Sequence, residues 1–237
     1  MLITLNKEVK FKNKIPFSIE KTKTQEEKIK ENWDQFIIGK TNYFNGKIYI
    51  VTDIIETKES YTLELASANF ADLVFAKETH EMIVNSLFSS VLLKTQDNYY
   101  VFVKDRNYRM NLFGGMASSE DFINDSYNPT NCLIRELKEE LGIDINDKNY
   151  VLNYYPAYLK IPVNTTESVY PTGIIYIANL KLTKQELERH FQVTKENLDH
   201  EIAELLFVTK DNYQELPNSN DSRSYIIEAI KLDIENN

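Results

Sequence analysis

The chain has 237 residues, 27 of them basic and 36 acidic, for a formal net charge of -9. That length suits one large domain or a domain with a substantial extension, and the acidic balance disfavours a general nucleic-acid binder, whose affinity rests on phosphate neutralisation. A single cysteine, Cys132, excludes an internal disulfide and favours a reducing, cytoplasmic setting; the lysine-dotted start is unlike a signal peptide, and no apolar run is long enough for a membrane span.

In chain order, residues 22–38 read as a helix with Thr24 as a cap and Ile29, Trp33, Phe36 and Ile37 on its apolar face. Strand patterns follow at 47–55 and 60–67, then a short helix around 70–77. These elements suggest a smaller N-terminal α+β region over 1–85, of unknown role, ahead of a second domain over 86–237. "FSSVLLKT" and "YYVFVK" read as strands joined by a turn at 96–98, and "RMNLFGG" leads to the glycine pair Gly114–Gly115. In "NPTNCLIRELKEELG", Asn128 suits an N-cap, Pro129 the first helical position and Gly142 a left-handed stop. Two long β-rich runs cover 150–161 and 170–182. A helix with a Thr183–Glu186 capping box, a strand at 202–208 and an amphipathic C-terminal helix complete an α/β pattern with a mixed sheet.

The helix before Gly142 carries Glu136, Glu139 and Glu140 within a turn and a half. At about 100° per residue, Leu133, Ile134, Leu137 and Leu141 cover one arc of roughly 100°, and the glutamates cover another, rotated by about 120°. Like charges spaced three and four apart destabilise a helix. Such a run is commonly a solvated face. Converging carboxylates also suit a hard cation such as Mg²⁺ or Mn²⁺, which would reverse the repulsion.

With the preceding "LFGGMASSED", the run Arg135-Glu136-Leu137-x-Glu139-Glu140-x-Gly142-Ile143 resembles the Nudix box, GX5EX7REUXEEXGU. Its second half matches at every specified position. In the first half, either Glu120 or Asp121 takes the acidic position, depending on which glycine starts the count, and residues 123–129 read as an insertion that lengthens the spacer. The resemblance implies an α/β/α sandwich with a mixed sheet. It implies Mg²⁺- or Mn²⁺-dependent hydrolysis of a nucleoside diphosphate linked to another group, such as a nucleotide sugar or an ADP-ribose-like compound. On this resemblance the metal ligands are Glu136, Glu139 and Glu140, with the Gly114 carbonyl and Glu120. Glu139 and Glu140 also fall in the catalytic set, and Arg135 holds a glutamate. Glu201 is preferred among Asp199, Glu201 and Glu204 as an acid supplied from a later loop, with His200 a weaker candidate for the base. Arg106, Arg109 and Phe113 are candidates for substrate binding, beside Lys104, Tyr108, Tyr155 and Tyr158. The partner is a small nucleotide, with no nucleic acid or membrane, and a homodimer is compatible. A non-catalytic nucleotide sensor is the alternative. An isoprenoid diphosphate isomerase is disfavoured because Cys132, the sole cysteine, lies on the box helix.

Overall fold

The computed structural model describes residues 1–40, 43–162, 167–198, 202–216 and 224–236. In chain order the strands and α-helices are β1 (Leu2–Thr4), β2 (Glu8–Ser18), α1 (Lys23–Phe36), β3 (Lys47–Glu56), β4 (Ser60–Asn69), α2 (Phe70–Thr79), β5 (Val84–Lys94), β6 (Tyr100–Asp105), β7 (Met110–Asn111), β8 (Phe113–Met116), β9 (Phe122–Ile123), β10 (Ser126–Tyr127), α3 (Pro129–Leu141), β11 (Val151–Lys160), β12 (Val169–Leu180), α4 (Lys184–Thr194), β13 (Ile202–Val208) and α5 (Ser224–Asn236). Among the described residues, no helix is long and apolar enough to cross a membrane.

Among the described residues, one sheet of eleven strands organises the fold, its main path running β1-β11-β12-β5-β3-β4-β2. It is mixed, because β12 pairs with β5 and β2 with β4 in parallel while the other pairs are antiparallel. The first 85 residues contribute β1 to β4 to this same sheet, through Leu2–Lys160 and Ile50–Ser86 pairing. The boundary drawn between residues 85 and 86 falls inside β5. Strand β5 is the hub, since one edge serves β3 at Ser86, β8 at Phe88–Val91 and β6 at Leu93–Lys94.

Alternation along β5 divides the core into layers. Leu87, Val91 and Leu93 pack with Leu133, Leu137 and Leu141 of α3 and with Leu187 and Phe191 of α4. Leu92 packs with Ile226, Ala229 and Ile230 of α5, and Val84 with Ala76 of α2. The result is a mixed α/β fold with helices on both faces of the sheet.

Local signals explain most element ends. Helix α3 starts at Asn128, whose side chain accepts from the Thr130 N–H at 3.0 Å, and stops at Gly142 with φ 71°. Helix α1 is capped by Thr22, not Thr24, because Thr22 and Gln25 satisfy each other's backbone N–H groups in a capping box. The insertion at 123–129 is ordered: β9 and β10 form a tight hairpin, with Asn124 and Asp125 at φ 48° and 63°. Positive φ at both central residues suits a two-residue hairpin, and Asn and Asp tolerate it better than most residues.

Candidate active site

Helix α3 is anchored by Leu133, Leu137 and Leu141, each at most 1% exposed. Burying each contributes about 1.5–3 kcal/mol, which outweighs the few tenths that a like-charged helical pair costs, about 0.2–0.5 kcal/mol. The leucines therefore fix the helix, and the acids are carried on its edge toward the glycine pair.

Arg135 gathers three of the acids. Its guanidinium donates to Glu136 at 2.6 Å, to Glu139 at 3.3 Å and to Asp121 at 3.1 and 3.3 Å. It also donates to the Met116 carbonyl at 3.1 Å, tying the helix to the loop after the glycines. Glu140 reaches past them and accepts from the Gly114 N–H at 2.8 Å. Backbone contact requires Gly114, whereas Gly115 leaves room for the side chain of Glu136. Gly114 has φ 132°, and a Cβ there would strike the Ser89 carbonyl; a Cβ on Gly115 would strike the Glu136 carboxylate.

Glu120 and Asp121 differ in burial. Asp121 is fully buried, holds Arg135 and accepts from the Ser118 N–H at 2.7 Å. Glu120, expected as a metal ligand, is exposed on the short turn beside it. Burial pushes the Glu136 carboxyl up to about 7 against the opposing pull of Arg135. Burial, with the nearby charges of Asp121 and Glu136, pushes the Cys132 thiol up to about 12. Cys132 is thus a core residue whose Sγ lies 3.5 Å from the Gly115 carbonyl, and not a nucleophile.

Other expected residues fall elsewhere. Phe113 is fully buried in the core under α3, so it cannot stack on a substrate. Arg106 and Arg109 are exposed on the β6–β7 turn, where Tyr108 is 72% exposed and Lys104 lies 5.1 Å from its ring centre. Tyr158 is buried under α5, whereas Tyr155 is 43% exposed. Glu204 lies on β13, 3.7 Å from Lys104. Asp199, His200 and Glu201 lie outside the described residues. Arg135 joins Asp121, Glu136 and Glu139 through its guanidinium.

Among the described residues, no three His, Cys, Asp or Glu side chains converge closely enough to form a metal site as they stand. The reason is visible: Arg135 engages Glu136 and Glu139, while Glu140 is turned to the backbone. The donor set nonetheless fits a hard divalent cation. It consists of carboxylate oxygens on one helix edge, and Gly115 leaves the space in which Glu136 rests.

This is a mixed α/β protein with an arginine-gathered acidic helix seated on a glycine pair. No family model and no curated protein sequence matches the chain. Its structure is similar to that of the DR0079 protein of Deinococcus radiodurans, with 10% identity, a TM-score of 0.49, and 78% of this chain and 98% of that one covered. It is similar to a MutT protein of Methanosarcina mazei, with 12% identity, a TM-score of 0.39 and coverage of 66% and 97%. A NUDIX hydrolase of Nitrosomonas europaea gives 12% identity, a TM-score of 0.36 and coverage of 64% and 88%. Similarity at these levels says nothing of activity, and the functional reading rests on residues 112–143 of this chain.

Proposed function

We propose that the protein is a Nudix-type pyrophosphohydrolase, which hydrolyses the diphosphate of a nucleoside diphosphate linked to another group, with Mg²⁺ or Mn²⁺. The observation that carries this reading is the gathering of Asp121, Glu136, Glu139 and Glu140 around Arg135 and the Gly114–Gly115 turn. Glu136, Glu139 and Glu140 would hold the ion, which supplies charge screening and a more acidic bound water. Asp121 is fully buried and held by both Arg135 and the Ser118 N–H, so its part is to orient the cluster. Glu139, at 42% exposure the most accessible of the helix acids held by Arg135, is the one best placed to meet solvent and position a water. In the reaction, water oxygen bonds to one phosphorus and the bridging P–O bond breaks. The products are two phosphate-terminated fragments, and the proton of the attacking water passes to a carboxylate or to solvent.

A panel of nucleotide sugars, dinucleotides, coenzyme A and nucleoside triphosphates, each with Mg²⁺ or Mn²⁺, tests the proposal. Metal-dependent turnover of at least one substrate, largely lost in Glu140→Gln, is expected. Binding of a nucleotide without turnover of any panel member would replace this reading with a non-catalytic sensor, a role favoured by the hold Arg135 already has on Glu136 and Glu139.

A further inference from the structure

Strands β3 and β8 share one edge of β5, and they meet where Ile50 pairs with Ser86 and Met116 with Phe88. A cavity of about 240 Å³ opens at this seam, lined by Tyr43, Phe44, Lys47, Ile48, Phe70 and Met116. It is smaller than the roughly 300–1,000 Å³ of a pocket that takes a whole drug-sized ligand, so it fits one flat ring system. Its lining draws on both faces of the sheet. Ile48 belongs to the core under α2, while the Lys47 ammonium lies 5.5 Å from the ring centres of Phe17 and Tyr49, which pack on the α3 side.

The loop over 43–46 that walls the cavity is tied to the start of α2. The Gly46 carbonyl accepts from the Phe70 N–H at 2.8 Å, and the Asn45 side chain accepts from the Ala71 N–H at 2.8 Å. Gly46 also leaves the space for the Phe44 ring, which a Cβ there would strike. The rings continue outward: Tyr43 stands 6.2 Å from Phe70 and 5.3 Å from Phe36, with the Lys40 ammonium 3.4 Å from the Phe36 ring centre. Within this packing Phe44 is still 80% exposed, Tyr43 50% and Met116 36%. Open aromatic faces beside lysines suit a nucleobase, since stacking supplies affinity and an ammonium donates to the acceptors on the ring edge.

Met116 joins this cavity to the acidic site. It lines the cavity, its carbonyl accepts from Arg135 at 3.1 Å, and it follows Gly115, over which the Glu136 carboxylate rests. Consecutive Cα atoms are about 3.8 Å apart, a step that the ribose between a base and its diphosphate covers.

We propose that this cavity takes the nucleobase of the substrate, stacked against Phe44 and Tyr43, while the diphosphate continues past Met116 to the acids gathered by Arg135. This rests on the pyrophosphohydrolase reading for the diphosphate, and it gives the first 85 residues the task of recognising the base.

The test is titration of AMP, GMP, CMP and UMP into the full chain, with ribose 5-phosphate as the control that lacks a base. Calorimetry reads affinity, and Trp33, the sole tryptophan, reports by fluorescence from 6.1 Å off the Phe70 ring. One aromatic ring under a base accounts for about 5- to 150-fold in affinity. At least one monophosphate should bind more tightly than ribose 5-phosphate, Phe44→Ala should weaken it by that factor, and Phe44→Trp should preserve it. Phe44 is so exposed that its loss leaves the fold intact. With a substrate from the panel, Phe44→Ala should raise KM more than it lowers kcat. No monophosphate binding by wild type, equal binding of ribose 5-phosphate, or unchanged affinity in Phe44→Ala would overturn the proposal. Self-association that Phe44→Ala abolishes while nucleotide affinity holds would overturn it too, and make the rings an interface between copies. Base-dependent binding that needs Phe44 in a protein with no hydrolytic activity would sink the enzyme reading and leave this site standing. Hydrolysis with kinetics untouched in Phe44→Ala would do the reverse.

Discussion

Replacing Asp121 with alanine should destabilise the protein more than any comparable change in the acidic cluster. The carboxylate is fully buried, accepts two bonds from Arg135 at 3.1 and 3.3 Å, and accepts a third from Ser118 at 2.7 Å. Removing one partner of a buried ion pair costs about 3–5 kcal/mol. Arg135 is 20% exposed and keeps Glu136, so the lower end applies, about 3 kcal/mol. For a chain of this size that corresponds to a fall in Tm of roughly 6–12 °C. The assay is urea unfolding followed by circular dichroism, with Glu120→Ala as the control. Glu120 is exposed, so its loss should stay within about 0.5 kcal/mol. A loss below about 1 kcal/mol in Asp121→Ala, or equal losses in the two variants, would refute the assignment of Asp121 to the buried acidic position.

Two further changes probe the same architecture. Gly115→Ala places a methyl group against the Glu136 carboxylate, so turnover should fall sharply while the chain stays folded; full activity would show that Glu136 does not need its place over the glycine. The Lys160 ammonium, 4.4 Å from the centre of the Tyr225 ring, is lowered by burial to about 8, which gives a pH signature. Between pH 8 and its ordinary value of 10.5 the unfolded chain binds more protons than the folded one, so the wild type gains stability as pH rises through that window. The penalty is fully present below pH 8. Denaturant unfolding of wild type and Lys160→Met at pH 7 and pH 10 should show the difference moving in favour of the wild type, and a pH-independent difference would contradict it.

The box helix was legible because its signals are local and agree with one another. Asn128, Pro129, the leucine spacing and Gly142 each specify the same helix, and the structure contains it. The longer strands β5, β6, β11, β12 and β13 are legible from their apolar runs, whereas the short β7 to β10 are not. The N-terminal strand β2 carries no such signal. Val9, Phe11 and Phe17 lie against the core, but lysines and an asparagine interleave them and read as a polar segment. The insertion at 123–129 reads as a loop, because the two-residue strands on either side of Asn124 and Asp125 are too short to show alternation. Phe113 is ambiguous in sequence: a strand aromatic beside a glycine pair looks the same whether it faces ligand or core. Lys160 and Tyr225 are 65 residues apart, and no sequence pattern links them before the sheet and α5 bring them together.

The hairpin of β9 and β10 gives the first fifty residues a stake in the acidic cluster. Asn13 donates to the Asp125 carbonyl at 2.6 Å, Phe11 meets Tyr127 edge-on with ring centres 4.9 Å apart, and Tyr49 meets Phe122 at 4.2 Å. Residues from the first fifty thus form the wall against which the hairpin after Asp121 rests. If the polypeptide were cut between 85 and 86 and the pieces expressed separately, the first would carry four of the sheet's strands, the second the rest, and neither a supported site. Such fragments would have to reassociate before the cluster could form, which makes the site a natural reporter for fragment complementation.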